Sequence, residues 1–450
     1  MEVEKLYPLV LVTLVALCYS NSLHCGLVFD DLAAVRDNRD IRSHTPILNL
    51  FQNDFWGTPI RKDHSHKSYR PLTVLSFRLN YAVHGLAPFG YHFVNILLHA
   101  FICLLFYKLC LHFLSGASSL VSSALFAVHP IHTEAVTGVV GRAELLSAAA
   151  FVGALLFYIQ KRYHHKANTW QDCGVTSVLA MLGLLCKEQA VTVLVVCCIY
   201  EWIVPKIPGR VQSMVLGRNS VSPWWKDKAL RSLILLGVFI SAVYFRWRIM
   251  GTRMPIFSRF DNPAAVSSTP TRQMTYNYLL AVNAWLLLFP CHLCCDWTMS
   301  TIPLITDLWD FRHIATLGLY ASVLYISRNA VKLEDDAKAA IIMSISLIVF
   351  PFVPASNLFF SVGFVVAERV LYIPSMGFCM LVAQGWSALY SKRVNFSCGL
   401  VFLPTDVLLE FSQRSTLILR SLRLKTLQFK PCVEYLHCSR ALRRLLYDEM

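Results

Sequence analysis

The chain is 450 residues long, 56% hydrophobic and only 15% charged, with a mean hydropathy of +0.50. A soluble domain carries about 25% charged residues, so this composition excludes an ordinary soluble globule and points to an all-α polytopic membrane protein. The net charge of +14 comes with no nucleic-acid-binding signature, so no nucleic-acid partner is expected; it reads as Lys and Arg placed in cytoplasmic loops.

The first apolar run covers residues 6–20. Its flank, Met1-Glu2-Val3-Glu4-Lys5, lacks the basic head of a secretory signal. A retained anchor with a cytoplasmic amino end is expected, although Cys18-Tyr19-Ser20 can pass as a cleavage site. Residues 24–67 then form a polar, charge-balanced loop that opens with Val28-Phe29-Asp30-Asp31, two adjacent carboxylates leaving the membrane together. Phe51, Phe55 and Trp56 are expected at the membrane interface, where aromatic rings are favoured. Residues 69–81 are half apolar with embedded charges, and are expected to lie on the membrane rather than cross it. They complete a first lumenal region over 24–90.

Spans are expected at 91–114, 117–136, 143–160, 173–185 and 190–204. The loops after the fourth and sixth spans are basic, with Lys161, Arg162 and Lys166 in one and Lys206, Arg210, Arg218, Lys226, Lys228 and Arg231 in the other. The positive-inside rule places both in the cytoplasm and the Asp30 loop in the lumen. That orientation also brings His129–Glu134 and Lys187-Glu188 to the lumenal side. A seventh span covers 232–248, and 250–312 is a second lumenal region. Within it, 276–290 is short for a crossing of about 20 residues and is expected to be re-entrant. Spans at 313–328, 339–354 and 371–389 follow, which leaves Ala367-Glu368-Arg369 lumenal. Residues 398–450 read as a divergent basic tail. Most of the 15 cysteines lie in apolar runs and act as small hydrophobes. The Cys-x-x-Cys at Cys291 and Cys294 has no second pair at zinc spacing, so no metal site is expected there.

Ionisable groups near membrane depth are costly unless they are paired or line a polar cavity. The lumenal set is Asp30, Asp31, His129, His132, Glu134, Arg142, Glu144, Lys187, Glu188, Glu368 and Arg369, with Arg70 at the head of the amphipathic segment. Such a set suits transfer of a sugar from a lipid phosphate. A carboxylate takes the proton from the attacking hydroxyl, and Arg or Lys holds the phosphate leaving group. In this reading Asp30 and Asp31 are catalytic. Arg70, His129, His132, Glu134, Arg142, Lys187, Glu188, Glu368 and Arg369 bind substrate or phosphate. Competing readings are structural hydrogen bonding for His129 and His132, and local charge pairing for Lys187 with Glu188 and Glu368 with Arg369. An adjacent Asp pair can hold a divalent cation as readily as act as a base, so the sequence alone implies no certain cofactor.

Eight stretches carry a family resemblance. They are Val28-Phe29-Asp30-Asp31, Asp54-Phe55-Trp56-Gly57, Ser68-Tyr69-Arg70-Pro71-Leu72, the run from Phe126 through His129-Pro130-Ile131-His132 to Glu134, Gly141-Arg142-Ala143-Glu144, Cys186-Lys187-Glu188-Gln189, Arg246-Trp247-Arg248 and Ala367-Glu368-Arg369-Val370-Leu371-Tyr372. In them the sequence resembles the transmembrane and tetratricopeptide-repeat (TMTC) family of protein O-mannosyltransferases, over residues 7–396. Val366-Ala367-Glu368-Arg369 followed by Pro374-Ser375-Met376-Gly377-Phe378-Cys379 points to the third branch of that family. The resemblance implies a GT-C-type membrane fold over 1–397 in the endoplasmic reticulum membrane, and a multi-pass topology. It implies dolichyl phosphate mannose as donor, and Ser or Thr of secretory or cell-surface proteins, cadherins especially, as acceptor. It also implies that Asp30 and Asp31 are the catalytic motif. The family continues into tetratricopeptide repeats, which 398–450 do not match. The alternative reading is therefore a catalytically inactive truncated isoform that acts as an endoplasmic reticulum membrane scaffold.

Overall fold

The computed structural model describes residues 3–163, 169–203, 224–251, 257–291, 293–294, 297 and 301–394. The 398–450 tail and residues 204–223 of the long basic loop lie outside the described residues. Among those described there are thirteen α-helices and no strand, beyond one isolated bridge between Asn53 and Pro59. In chain order the helices are α1 (Tyr7–Tyr19), α2 (Pro71–His84), α3 (Pro88–Cys110), α4 (Gly116–Val128), α5 (Thr133–Thr137), α6 (Arg142–Tyr163), α7 (Thr169–Leu184), α8 (Val193–Ile203), α9 (Trp224–Ile249), α10 (Thr269–Leu288), α11 (His313–Ala330), α12 (Asp335–Phe352) and α13 (Pro374–Val394).

Five helical stretches are long and apolar enough to cross a bilayer: Glu4–His24, Pro88–Cys110, Val139–Arg162, Trp225–Ile249 and Asp335–Ala355. They carry α1, α3, α6, α9 and α12. Helices α4, α7, α8, α11 and α13 pack among them, as befits an all-α polytopic membrane protein. The turns at one face carry Asp30 after α1, Glu134 after α4, Lys187 and Glu188 after α7, and Glu368 and Arg369 before α13.

Local chemistry explains where the chain turns. His129 precedes Pro130 and is extended (φ −64°, ψ 124°), so α4 stops at Val128, inside the apolar run expected to span to 136. The rest of that run folds as a 3-10 turn and the short α5 at the site face. Pro71 opens α2, and Gly85 closes it with φ +58°. Where α13 crosses α12, the backbone of Gly377 lies against Ser344 O and Ile348, a contact that a Cβ would block.

Helices α2 and α10 lie along the site face. Thr73 Oγ1 at the start of α2 donates to Cys186 O at 3.0 Å, and Arg78 farther along donates to Asp40 O, Ser43 O and Thr45 O of the first loop. Asn262, just before α10, donates to Asn357 Oδ1 at 3.0 Å, and His129 Nε2 donates to Leu287 O at the other end of α10 at 3.2 Å. Both ends of α10 thus meet segments of one face.

The main core joins α3, α4, α6, α7, α8, α12 and α13 through side chains such as Phe106, Phe126, Phe151 and Met376. A second, smaller core lies under the first loop, where Val35, Leu50 and Phe55 meet Val74, Phe77 and Tyr91. This corrects the expected interfacial role of Phe55, which is only 1% exposed. The loop folds onto α2 and builds its own apolar centre. Asp54 pins that loop: its carboxylate accepts from Trp56 N, Thr58 N, Ser65 Oγ and His66 N. At the opposite face, Glu201 closes the bundle by accepting from Tyr158 Oη at 2.6 Å and from Arg231 Nε and Nη2, each at 2.9 Å.

Candidate active site

The two adjacent aspartates do different jobs. Phe29 sits in the left-handed region at φ +49°, unusual for a residue with a side chain, and turns the chain into the pair. Successive residues on the helical turn that follows diverge by about 100°. Asp31 therefore points inward and Asp30 sideways. Asp31 is buried; its Oδ1 accepts from Val140 N at 2.9 Å and its Oδ2 from Val28 N at 3.2 Å. Burial pushes its carboxyl up to about 6, against the pull of those amides. Asp31 thereby ties the first loop to the start of α6. The Asp30 side chain is 28% exposed and faces Arg369 Nη1 at 3.7 Å.

Arg369 is the centre of one ionic cluster. Its Nη1 donates to Glu134 Oε1 at 2.7 Å, and its backbone N–H donates to Glu134 Oε2 at 2.8 Å. Glu144 Oε1 lies 3.7 Å from Arg369 Nε and also pairs with Lys187 Nζ. Burial works against the Arg369 charge, but Glu134, Glu144 and Asp30 outweigh it and push the guanidinium further up. The cluster holds three carboxylates, Asp30, Glu134 and Glu144, against two cations, Arg369 and Lys187.

Lys187 and Glu188 separate because the backbone of Lys187 is extended (φ −163°, ψ 148°), and neighbouring side chains on an extended backbone point to opposite sides. Lys187 reaches Glu144; Glu188 turns away to a second cluster. There it meets Arg70 Nη2 at 3.4 Å and Arg246 Nη2, while Arg246 Nη1 donates to Tyr69 O at 2.6 Å. Burial would raise Glu188, but Arg246 and then Arg70 outweigh it and hold the carboxyl down at about 2. This second cluster has two guanidinium groups on one carboxylate.

Glu368 and Arg369 likewise do not pair with each other. Glu368 Oε1 accepts from Cys294 N at 2.6 Å and from Trp297 Nε1 at 3.1 Å. Burial, then the nearby charge of Glu134, push its carboxyl up to about 8. It anchors the segment after α10 to the site.

Three of the residues expected to bind substrate lie elsewhere. Arg142 is wholly buried and spends its guanidinium on Asn95 Oδ1 at 2.9 Å and Tyr91 O at 2.8 Å, with the Phe77 ring 5.0 Å from its centre. His129 bonds Leu287 O and accepts from Ile131 N at 3.2 Å, and His132 meets Ser375 Oγ at 2.8 Å. All three are turned into the packing beneath the face. Sequence reasoning missed Arg246 as a site residue. The signal was present: Arg246 and Arg248 end a span on the side that the positive-inside rule assigns to the lumen, where cations are out of pattern.

Beside the second cluster, the first loop together with residues 248–251, Phe257 and Asp261 walls a cleft of about 1770 Å³ that reaches Tyr69. Among the described residues no three His, Cys, Asp or Glu side chains converge as metal ligands would. The Asp30–Asp31 pair does not fit a cation site, because Asp31 gives its oxygens to two backbone amides and Asp30 faces a guanidinium.

Residues 251–324 match the family model described as "Protein O-mannosyl-transferase TMTC, DUF1736". Over 390 residues the chain is 48% identical to the human protein O-mannosyl-transferase TMTC3, which covers 85% of this chain and 43% of that relative. The chain belongs to the TMTC family. It is 44% identical over 423 residues to Tmtc3 of Drosophila melanogaster (83% of this chain, 45% of the relative) and 40% identical over 410 residues to TMTC4 of mouse (83% and 54%). This TMTC chain therefore spans about half the length of the curated relatives it matches. The segment that matches the family model contains Cys294 and Trp297, the two residues that hold Glu368.

Proposed function

We propose that the chain is a protein O-mannosyltransferase that moves mannose from dolichyl phosphate mannose to Ser or Thr hydroxyls of secretory-pathway proteins, with cadherin-like acceptors, at the lumenal face of the endoplasmic reticulum membrane. The acceptor oxygen forms a bond to C1 of mannose as the bond from C1 to the phosphate oxygen breaks. Dolichyl phosphate leaves with that electron pair. The hydroxyl proton passes to Asp30, the one member of the pair with a carboxylate free of backbone amides and partly open to solvent. Arg369 and Glu134 hold Asp30 in place. Arg70 stands on the side where the phosphate charge must be met. No step is routed through a metal ion.

The observation that carries this reading is the partly exposed carboxylate of Asp30, 3.7 Å from Arg369, on the same face as the cationic Arg70–Glu188 cluster. The names of the relatives supply the sugar and the acceptor class. The test is transfer of labelled mannose by the purified chain in nanodiscs to a Ser- and Thr-containing cadherin peptide. Transfer is expected from dolichyl phosphate mannose and not from GDP-mannose; no transfer from the lipid donor contradicts the proposal.

A further inference from the structure

Arg246 belongs to no residue set assigned to the reaction, and its surroundings do not balance its charge. It is buried, with 9% of its surface exposed, at the end of α9. Its two terminal nitrogens are used, one on Tyr69 O and one on Glu188. Its Nε–H is buried and has no partner, and the same is true of Arg70 Nε. Two guanidinium groups thus share the single carboxylate of Glu188, and each keeps a donor in reserve. A buried donor left without an acceptor is costly, and a guanidinium is suited to gripping a phosphate through two parallel bonds. The neighbouring cluster offers no comparable place for an anion. Its two cations, Arg369 and Lys187, already face the carboxylates of Asp30, Glu134 and Glu144.

We infer that Arg246 and Arg70 form the subsite for the phosphate of an isoprenyl phosphate donor, with Glu188 acting as an internal competitor that orients both guanidinium groups in the empty state. The inference rests on the transferase reading for the identity of the donor and adds the residues that grip it. Glu188 lies next to Lys187, whose side chain reaches Glu144 of the other cluster, so the two clusters are joined through adjacent residues. Arg369 is then a positioning residue for Asp30 rather than the phosphate ligand.

The test is binding of citronellyl phosphate, a short isoprenyl phosphate, to the purified chain in nanodiscs, with citronellol and inorganic phosphate as the other arms. Citronellyl phosphate is expected to bind at least tenfold more tightly than either. Arg246→Gln and Arg70→Gln are each expected to weaken it about tenfold or more, because each removes one charge-assisted contact. Glu188→Gln is expected to strengthen it severalfold, a gain that structural damage cannot produce. Arg369→Gln is expected to leave it within about threefold. The inference is overturned if Arg246→Gln binds like the parent, if Glu188→Gln weakens binding, or if inorganic phosphate binds as well as citronellyl phosphate. Binding with this pattern but without mannose transfer would keep the subsite and remove the transferase reading. Transfer with binding indifferent to Arg246 would do the reverse.

Discussion

The site face divides into two halves that meet at one peptide bond. Around Arg369, three carboxylates face two cations; around Glu188, two guanidinium groups face one carboxylate. The same ingredients, Arg, Lys, Asp and Glu, are therefore partitioned into an acid-rich half and a base-rich half. An acid-rich half with a partly open Asp30 is suited to accepting a proton. A base-rich half with donors in reserve is suited to accepting an anion. The partition follows from local geometry: the extended backbone of Lys187 sends it one way and Glu188 the other. The lesson is that a count of charges on one face says little until each is traced to its partner.

The sharpest way to break this comparison is to separate the two aspartates. Asp30→Asn is expected to cut mannose transfer by about 100-fold or more, the range of a general base, with unchanged thermal stability. Asp31→Asn removes one of the two carboxylate oxygens that accept from Val140 N, before α6, and from Val28 N, within the first loop. It is expected to lower the melting temperature of the purified chain and to cost less in transfer than Asp30→Asn. Equal losses from both, without a stability change, would erase the distinction between them.

Arg142 supplies the control. It looks like a site cation in the sequence, yet it holds Asn95 and Tyr91 O inside the bundle. Arg142→Leu leaves those acceptors unpartnered, at about 1–3 kcal/mol each. The expected result is a lower melting temperature with the affinity for citronellyl phosphate unchanged in the molecules that remain folded. Weakened phosphate binding without destabilisation would return Arg142 to the site.

A smaller effect concerns pH. Glu368 has an ordinary value of 4.5 and is raised to about 8 by burial and Glu134. The folded chain keeps a proton that the unfolded chain releases, so it binds more protons across that window. Stability is then expected to fall as pH rises from about 4.5 to about 8 and to level off above it. Asp31, raised from 3.8 to about 6, adds the same sign over the lower part of the range. Melting temperatures measured from about pH 5 to about pH 9 check this, and Glu368→Gln, which mimics the neutral acid, is expected to flatten the upper part.

Much of the architecture was legible in the sequence because hydropathy alone sets it. The ten apolar runs expected to cross overlap ten of the helices, five of them in stretches long and apolar enough to cross, and the two segments expected not to cross overlap α2 and α10. The family was legible from short motifs that place charge at span ends. The grouping within the site was not. Hydropathy does not report how a helix or turn is rotated, and rotation decides that Arg142 faces Asn95 rather than Glu134. Nor does it report that Glu368 pairs with the segment after α10, or that Phe55 is the core of a folded loop. Arg246 was hidden for the same reason: its partner, Glu188, lies 58 residues away in the chain.

The central claim is that the acid-rich half performs the transfer and the base-rich half holds the donor. Its most direct test is steady-state transfer with varied dolichyl phosphate mannose, comparing Asp30→Asn with Arg246→Gln. The account predicts that Asp30→Asn lowers kcat by about 100-fold or more with KM for the donor within about threefold. Arg246→Gln is predicted to raise that KM by about tenfold or more. A parent-like kcat in Asp30→Asn, or a KM in Arg246→Gln no higher than in the parent, would contradict it.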